Sequence, residues 1–171
     1  MPVPMEIERK YLIECPTPEQ LANLPEPDAT EITQTYLKQE TKDFGRRIRK
    51  RGSDSKGWEY TYTQKKTVGF GERIELEKNI TAEQYQELLK EAEPALHTIQ
   101  KVRYCFTYKG QFFEMDIYAF SDTLATLEIE LPSIDTPVRL PDFLHIIADV
   151  TGKKGYSNFA LSKRLSFPEN H

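Results

Sequence analysis

Glu6-Ile7-Glu8-Arg9-Lys10 is the stretch that decides how this chain folds. Successive side chains of an extended strand point to opposite faces, so Glu6, Glu8 and Lys10 form one charged row. The same alternation recurs downstream. Arg47 and Arg49 flank Ile48, and Arg73, Glu75 and Glu77 flank Ile74 and Leu76. Lys101 and Arg103 flank Val102, Glu114 and Asp116 flank Met115, and Glu128 and Glu130 flank Ile129. One such row is a solvated strand face. Repeated along the chain, the rows suggest strands that share an ionic surface, with Ile, Leu, Val, Met, Tyr and Phe buried on the other side. This pattern predicts an α+β fold, a closed eight-stranded antiparallel β-barrel with a charged interior and helices packed outside.

Outward from that opening, the first strand is expected near Met5–Ile13. Prolines then bracket a short helix with Thr17 as its cap. Strands follow near 32–39, 45–51, 58–66 and 73–80. Thr81 with Gln84 forms a capping box for a helix that runs to about Glu93, where Pro94 ends it. Further strands cover 100–108, 111–118 and 125–132. A helix from Pro141 to about Val150 and a last one from Ser157 or Asn158 complete the chain. No repeat or linker interrupts it, so residues 1–171 read as a single domain.

The chain has 171 residues, 29% of them charged, and a net charge of -4. A net negative balance argues against binding to nucleic-acid backbones, which rests on a positive face. Cys15 and Cys105 have neither metal-ligand spacing nor a disulfide framework and suit a reducing compartment. No signal peptide and no apolar run of membrane-spanning length is present, so the expected location is the cytoplasm. His97, His145 and His171 show no ligand spacing. Lys153 and Lys154 read as a solvated pair, and Arg9 as exposed or paired on the outward face.

Carboxylate oxygens are hard ligands suited to Mg²⁺ or Mn²⁺, and Glu6/Glu8 opposed to Glu128/Glu130 would make one metal site. Arginine and lysine rows suit phosphate oxygens. A polyphosphate carrying divalent cations would neutralise both sets together.

The opening Glu6-x-Glu8-x-Lys10 resembles the signature of the CYTH superfamily, the triphosphate tunnel metalloenzymes. Gln34-Thr35-Tyr36-Leu37, Arg47-x-Arg49, Thr63-x-Lys65, Arg73-x-Glu75-x-Glu77, Lys101-x-Arg103, Glu114-x-Asp116, Glu128-x-Glu130 and Tyr156-x-Asn158 follow in the family's order. Thr35 stands where a glycine is usual, and Gly155 where a basic residue often precedes the tyrosine. The opening is most similar to the small bacterial members that hydrolyse inorganic triphosphate. The resemblance implies a metal-dependent phosphoanhydride hydrolase acting on a small-molecule triphosphate, as a monomer or homodimer, with no nucleic-acid or membrane partner. It implies Lys10, Arg47, Arg49, Lys65, Arg73, Lys101 and Arg103 as substrate ligands. Glu6, Glu8, Glu128 and Glu130 would hold a first metal, and Asp116 with Glu75 or Glu77 a second. Tyr36 and Lys65 would orient or activate water. A class IV adenylate cyclase, a thiamine or nucleoside triphosphatase, and a non-catalytic polyphosphate-binding module stay open as alternatives.

Overall fold

The computed structural model describes residues 7–39, 41, 44–67 and 73–170. Nine strands and three α-helices occur among them: β1 (Ile7–Glu14), α1 (Pro18–Ala22), β2 (Asp28–Tyr36), β3 (Phe44–Ser53), β4 (Gly57–Thr67), β5 (Arg73–Ile80), α2 (Ala82–Leu89), β6 (Ile99–Tyr108), β7 (Gln111–Tyr118), β8 (Leu124–Leu131), β9 (Ile146–Asp149) and α3 (Asn158–Arg164). The strands are antiparallel. The architecture is therefore α+β, as the alternation predicts. The chain divides into two compact units, one of residues 1–29, 101–157 and 166–171, the other of residues 30–100 and 158–165.

In the first unit the ladder runs β6-β7-β8-β1-β9. One face of it carries the charged rows. The other carries Tyr11, Ile13, Phe106, Phe113, Met115, Ala125, Leu127 and Ile129, all buried in one cluster. Leu21 and Leu24, at α1, and Val138, Leu140, Phe143 and Leu144 cover that cluster. α1 starts at a capping box, in which Thr17 Oγ1 accepts from Gln20 N–H and Gln20 Oε1 accepts from Thr17 N–H.

In the second unit the ladder is β2-β3-β4-β5. Ile48, Tyr62, Leu37 and Tyr85 form its core, with Tyr60, Ile80, Leu88 and Leu89 packed against them. α2 supplies Tyr85, Leu88 and Leu89, and the expected Thr81/Gln84 capping box fixes its start. Gly52 lies in the β3–β4 hairpin at φ +144, where an added Cβ would stand 2.0 Å from the Gly57 carbonyl oxygen, so only glycine fits.

The structure corrects the sequence reading in two places. The expected helix from Pro141 to Val150 is a turn followed by β9, whose residues Ile146, Ala148 and Asp149 pair with β1. Ile146 and Ile147 are β-branched, and β1 would otherwise present a row of unpaired backbone groups on that side. α2 stops at Leu89 rather than Glu93, because the segment after it turns back onto β2. Lys38 N–H donates to Glu91 O, and Glu93 N–H to Tyr36 O. Among the described residues β5 pairs only with β4 and β9 only with β1.

Candidate active site

Both units bury their oil on one face and present charge on the other. In the first unit, register places Glu8 opposite Glu130, Lys10 opposite Glu128, Glu128 opposite Glu114, and Asp116 opposite Arg103. Residues directly opposite share a face, so these strands bring their charged rows together. Lys101 and Asp116 are 5% and 3% exposed and meet at 2.8 Å. Arg103 grips Asp116 through Nε at 2.8 Å and Nη2 at 3.0 Å, and donates from Nη1 to Glu114 Oε2 at 3.0 Å. Burial would raise the Asp116 carboxyl, but Lys101 and Arg103 outweigh it and hold its pKa at about 2. Burial pulls Lys101 down from its usual range, with Asp116 opposing. For Arg103 burial is outweighed by Asp116 and Glu114, which raise its pKa.

Lys10 pairs with Glu128 at 2.9 Å and donates to the Tyr156 carbonyl at 3.3 Å. Glu8 behaves differently. Burial raises its carboxyl pKa, the Glu128 charge raises it further, and Lys10 opposes both. The neighbouring Glu130 adds to the rise, so hard oxygen donors are gathered here against their own repulsion. Carboxylate oxygens of this kind are the ligands a divalent cation takes. Among the described residues no three His, Cys, Asp or Glu side chains stand in ligand geometry around one point. Glu6 lies outside the described residues. Arg9, on the other face, pairs with Asp149.

In the second unit, register aligns Tyr36, Arg47, Thr63 and Glu77, and beside them Gln34, Arg49 and Thr61. Arg47, Arg49 and Arg51 are only partly exposed, whereas Lys65, Glu75 and Glu77 are exposed. Glu77 Oε1 accepts from Thr63 Oγ1 at 3.3 Å. The buried Nε of Arg47 has no hydrogen-bond partner among the described residues. Gln34 Nε2 donates to the Tyr36 hydroxyl at 3.0 Å. Burial raises the Tyr36 phenol pKa, with Arg47 and the bond from Gln34 opposing. Arg73 starts β5.

The two departures from the family pattern have local reasons. Thr35 is buried on the core-side face and its Oγ1 lies 3.1 Å from Thr98 Oγ1. A side chain at Gly155 would bring a Cβ to 2.8 Å from Pro168 Cγ. Sequence reasoning gave no site role to Glu114 or Gln34. The first could have been found from its place two residues before Asp116 on the same face, on the strand that follows Lys101 and Arg103. The second has no charge and gave no comparable signal.

The CYTH domain model matches residues 4–165, spanning both units. The chain belongs to the CYTH family. Among solved structures, this CYTH chain is similar to the inorganic triphosphatase NE1496, at 30% identity and a TM-score of 0.68, covering 96% of this chain and 97% of that one. The PH1819 protein from Pyrococcus horikoshii OT3 shares 21% identity, with a TM-score of 0.52, over 77% of this chain and 81% of that one. A candidate adenylate cyclase from Bacillus halodurans shares 16% identity, with a TM-score of 0.51, over 75% and 81%. The last two likenesses show the fold alone. No curated protein sequence matches the chain significantly.

Proposed function

We propose that the protein hydrolyses a phosphoanhydride bond of a small triphosphate, with inorganic tripolyphosphate as substrate and pyrophosphate and phosphate as products. The observation that carries this reading is the presence, in one CYTH chain, of gathered hard oxygen donors at Glu8, Glu128 and Glu130 and of a partly buried arginine row at Arg47 and Arg49. Similarity to NE1496 over nearly the full length of both chains supports it.

Phosphoryl transfer is mainly positioning and charge neutralisation. Arg47, Arg49, Lys65 and Lys10 are the cations that bind and orient phosphate oxygens. Lys101 and Arg103, fixed on Asp116 and Glu114, hold the charged face rigid and contribute a positive field. Arg73 joins the ligand set as a proposal only. Glu8, Glu128 and Glu130, together with Glu6, would hold Mg²⁺ or Mn²⁺. When bound, the cation neutralises phosphate oxygens and lowers the pKa of a coordinated water. The charged interior of a closed tunnel, and a second metal at Asp116 with Glu75 or Glu77, also belong to this proposal. Tyr36 offers a hydroxyl to orient water or a phosphate oxygen, and Lys65 a second donor. Steady-state turnover of tripolyphosphate, ATP and thiamine triphosphate, with product analysis for cyclic AMP, tests the reading. Preference for tripolyphosphate in the presence of Mg²⁺ or Mn²⁺ is expected. Cyclic AMP as the main product, or no turnover of tripolyphosphate, would overturn it.

A further inference from the structure

We infer that Gln34 is a positioning residue for Tyr36, fixing the phenol so that its proton is presented to an oxygen of the substrate or of the attacking water. The inference rests on the triphosphatase reading and adds a residue to it. Gln34 and Tyr36 stand two positions apart on β2 and share a face. Gln34 is fully buried, and its Nε2 donates to the Tyr36 hydroxyl oxygen at 3.0 Å. Arg47 stands directly opposite Tyr36 on β3 and its positive charge favours the phenol oxygen as an acceptor. An amide N–H can only donate, so the bond from Gln34 falls on a lone pair of the phenol oxygen. The phenolic O–H is then left to donate elsewhere. It needs an acceptor, which a phosphate oxygen or a water supplies. The ring is held as well, because Phe159 of α3 meets it edge-on at 5.5 Å and 86°.

Stability does not explain the glutamine. Its Oε1 is buried without a partner among the described residues. A buried acceptor left unused costs about 1–3 kcal/mol, which an apolar side chain of the same length would avoid. The amide is retained where it lowers stability, and the bond it does make is to Tyr36.

The test is a cycle of Gln34→Met, Tyr36→Phe and the double variant, assayed on tripolyphosphate with Mg²⁺. Gln34→Met should lower kcat about three- to tenfold, the size of one lost neutral hydrogen bond, and leave KM within about twofold. In the Tyr36→Phe background the same change should cost nothing further, since Gln34 acts only through the hydroxyl. Losses that multiply across the cycle would make Gln34 a structural residue and overturn the inference. A second readout needs no turnover. The ¹³Cζ resonance of Tyr36, assigned by its absence in Tyr36→Phe, should move in Gln34→Met, and an unmoved resonance would disprove the bond. A wild-type protein that turned over no triphosphate would sink the triphosphatase reading, while the resonance would still decide the Gln34–Tyr36 contact. Should Gln34→Met fail to fold, Gln34→Asn, one methylene shorter, carries the same expectations.

Discussion

The charged face of the first unit and that of the second are built from the same alternating pattern but are balanced oppositely. On β1, β6, β7 and β8, Glu8, Glu114, Asp116, Glu128 and Glu130 outnumber Lys10, Lys101 and Arg103. Each of those cations is already held by a carboxylate of its own unit. On β3 three arginines, Arg47, Arg49 and Arg51, stand in a row, and the acids Glu59, Glu75 and Glu77 are exposed on β4 and β5 beside them. An acid-rich face has the chemistry to attract a cation, and an arginine row with a buried Nε that has no partner among the described residues has the chemistry to attract an anion. The difference teaches that net charge, here -4, hides two faces of opposite balance that only the register reveals.

The comparison breaks first at Asp116. Asp116→Asn would leave Lys101 buried without its counter-charge, and loss of one partner of a buried pair costs about 3–5 kcal/mol. Chemical denaturation should show that loss, and should show a change within about 1 kcal/mol for Lys65→Ala on the exposed row of the other unit. Equal, small effects at both positions would mean the first face is no more preorganised than the second.

Metal dependence comes next. Glu8→Gln and Glu130→Gln should each lower Mg²⁺- or Mn²⁺-supported turnover by about a hundredfold if each is, as proposed, a hard ligand of the cation. Full turnover in chelator would remove the cation from the first face altogether.

A smaller effect is expected on the arginine row. Arg47→Ala should weaken tripolyphosphate binding about tenfold, or about 1.4 kcal/mol, as measured by calorimetry. Wild-type affinity would make Arg47 a packing residue of the strand.

The smallest effect is a pair of opposite pH slopes within the first face, measured on metal-free protein. The Asp116 pKa is depressed to about 2, so its contribution is present above the unfolded value of 3.8 and is lost as pH falls toward 2. The Glu8 pKa is raised, so its contribution is present below the unfolded value of 4.5 and is lost as pH rises through the folded value. Glu8→Gln should therefore gain on wild type as pH rises from 4.5 through the folded value. A constant difference between the two proteins across that range would mean that Glu8 is not held against repulsion.

Much of this was legible in the sequence because strand alternation is strict. The rows at Glu128-x-Glu130 and Arg47-x-Arg49 had to share faces once they were strands, and the capping box at Thr81 fixed its helix locally. β9 was not legible. Pro141 and the apolar run after it fit a helix start equally well, and only the unpaired side of β1, far away in sequence, selects the strand. The locking of Arg103 was hidden for a related reason. Its three guanidinium nitrogens are satisfied from β7, and register across strands is not printed in either strand alone. Gln34 went without a role because an uncharged amide in a strand has no pattern of its own.

β1 is flanked by β8 on one side and β9 on the other. During synthesis β1 therefore has no strand neighbour until β8 and β9, far later in the sequence, have been made. Contacts between sequence-distant strands are slow to form because the intervening loop must be closed first. The facing of Glu8 with Glu130 and of Lys10 with Glu128 therefore depends on a pairing between strands far apart in sequence, and a chain cut before β8 would lack it.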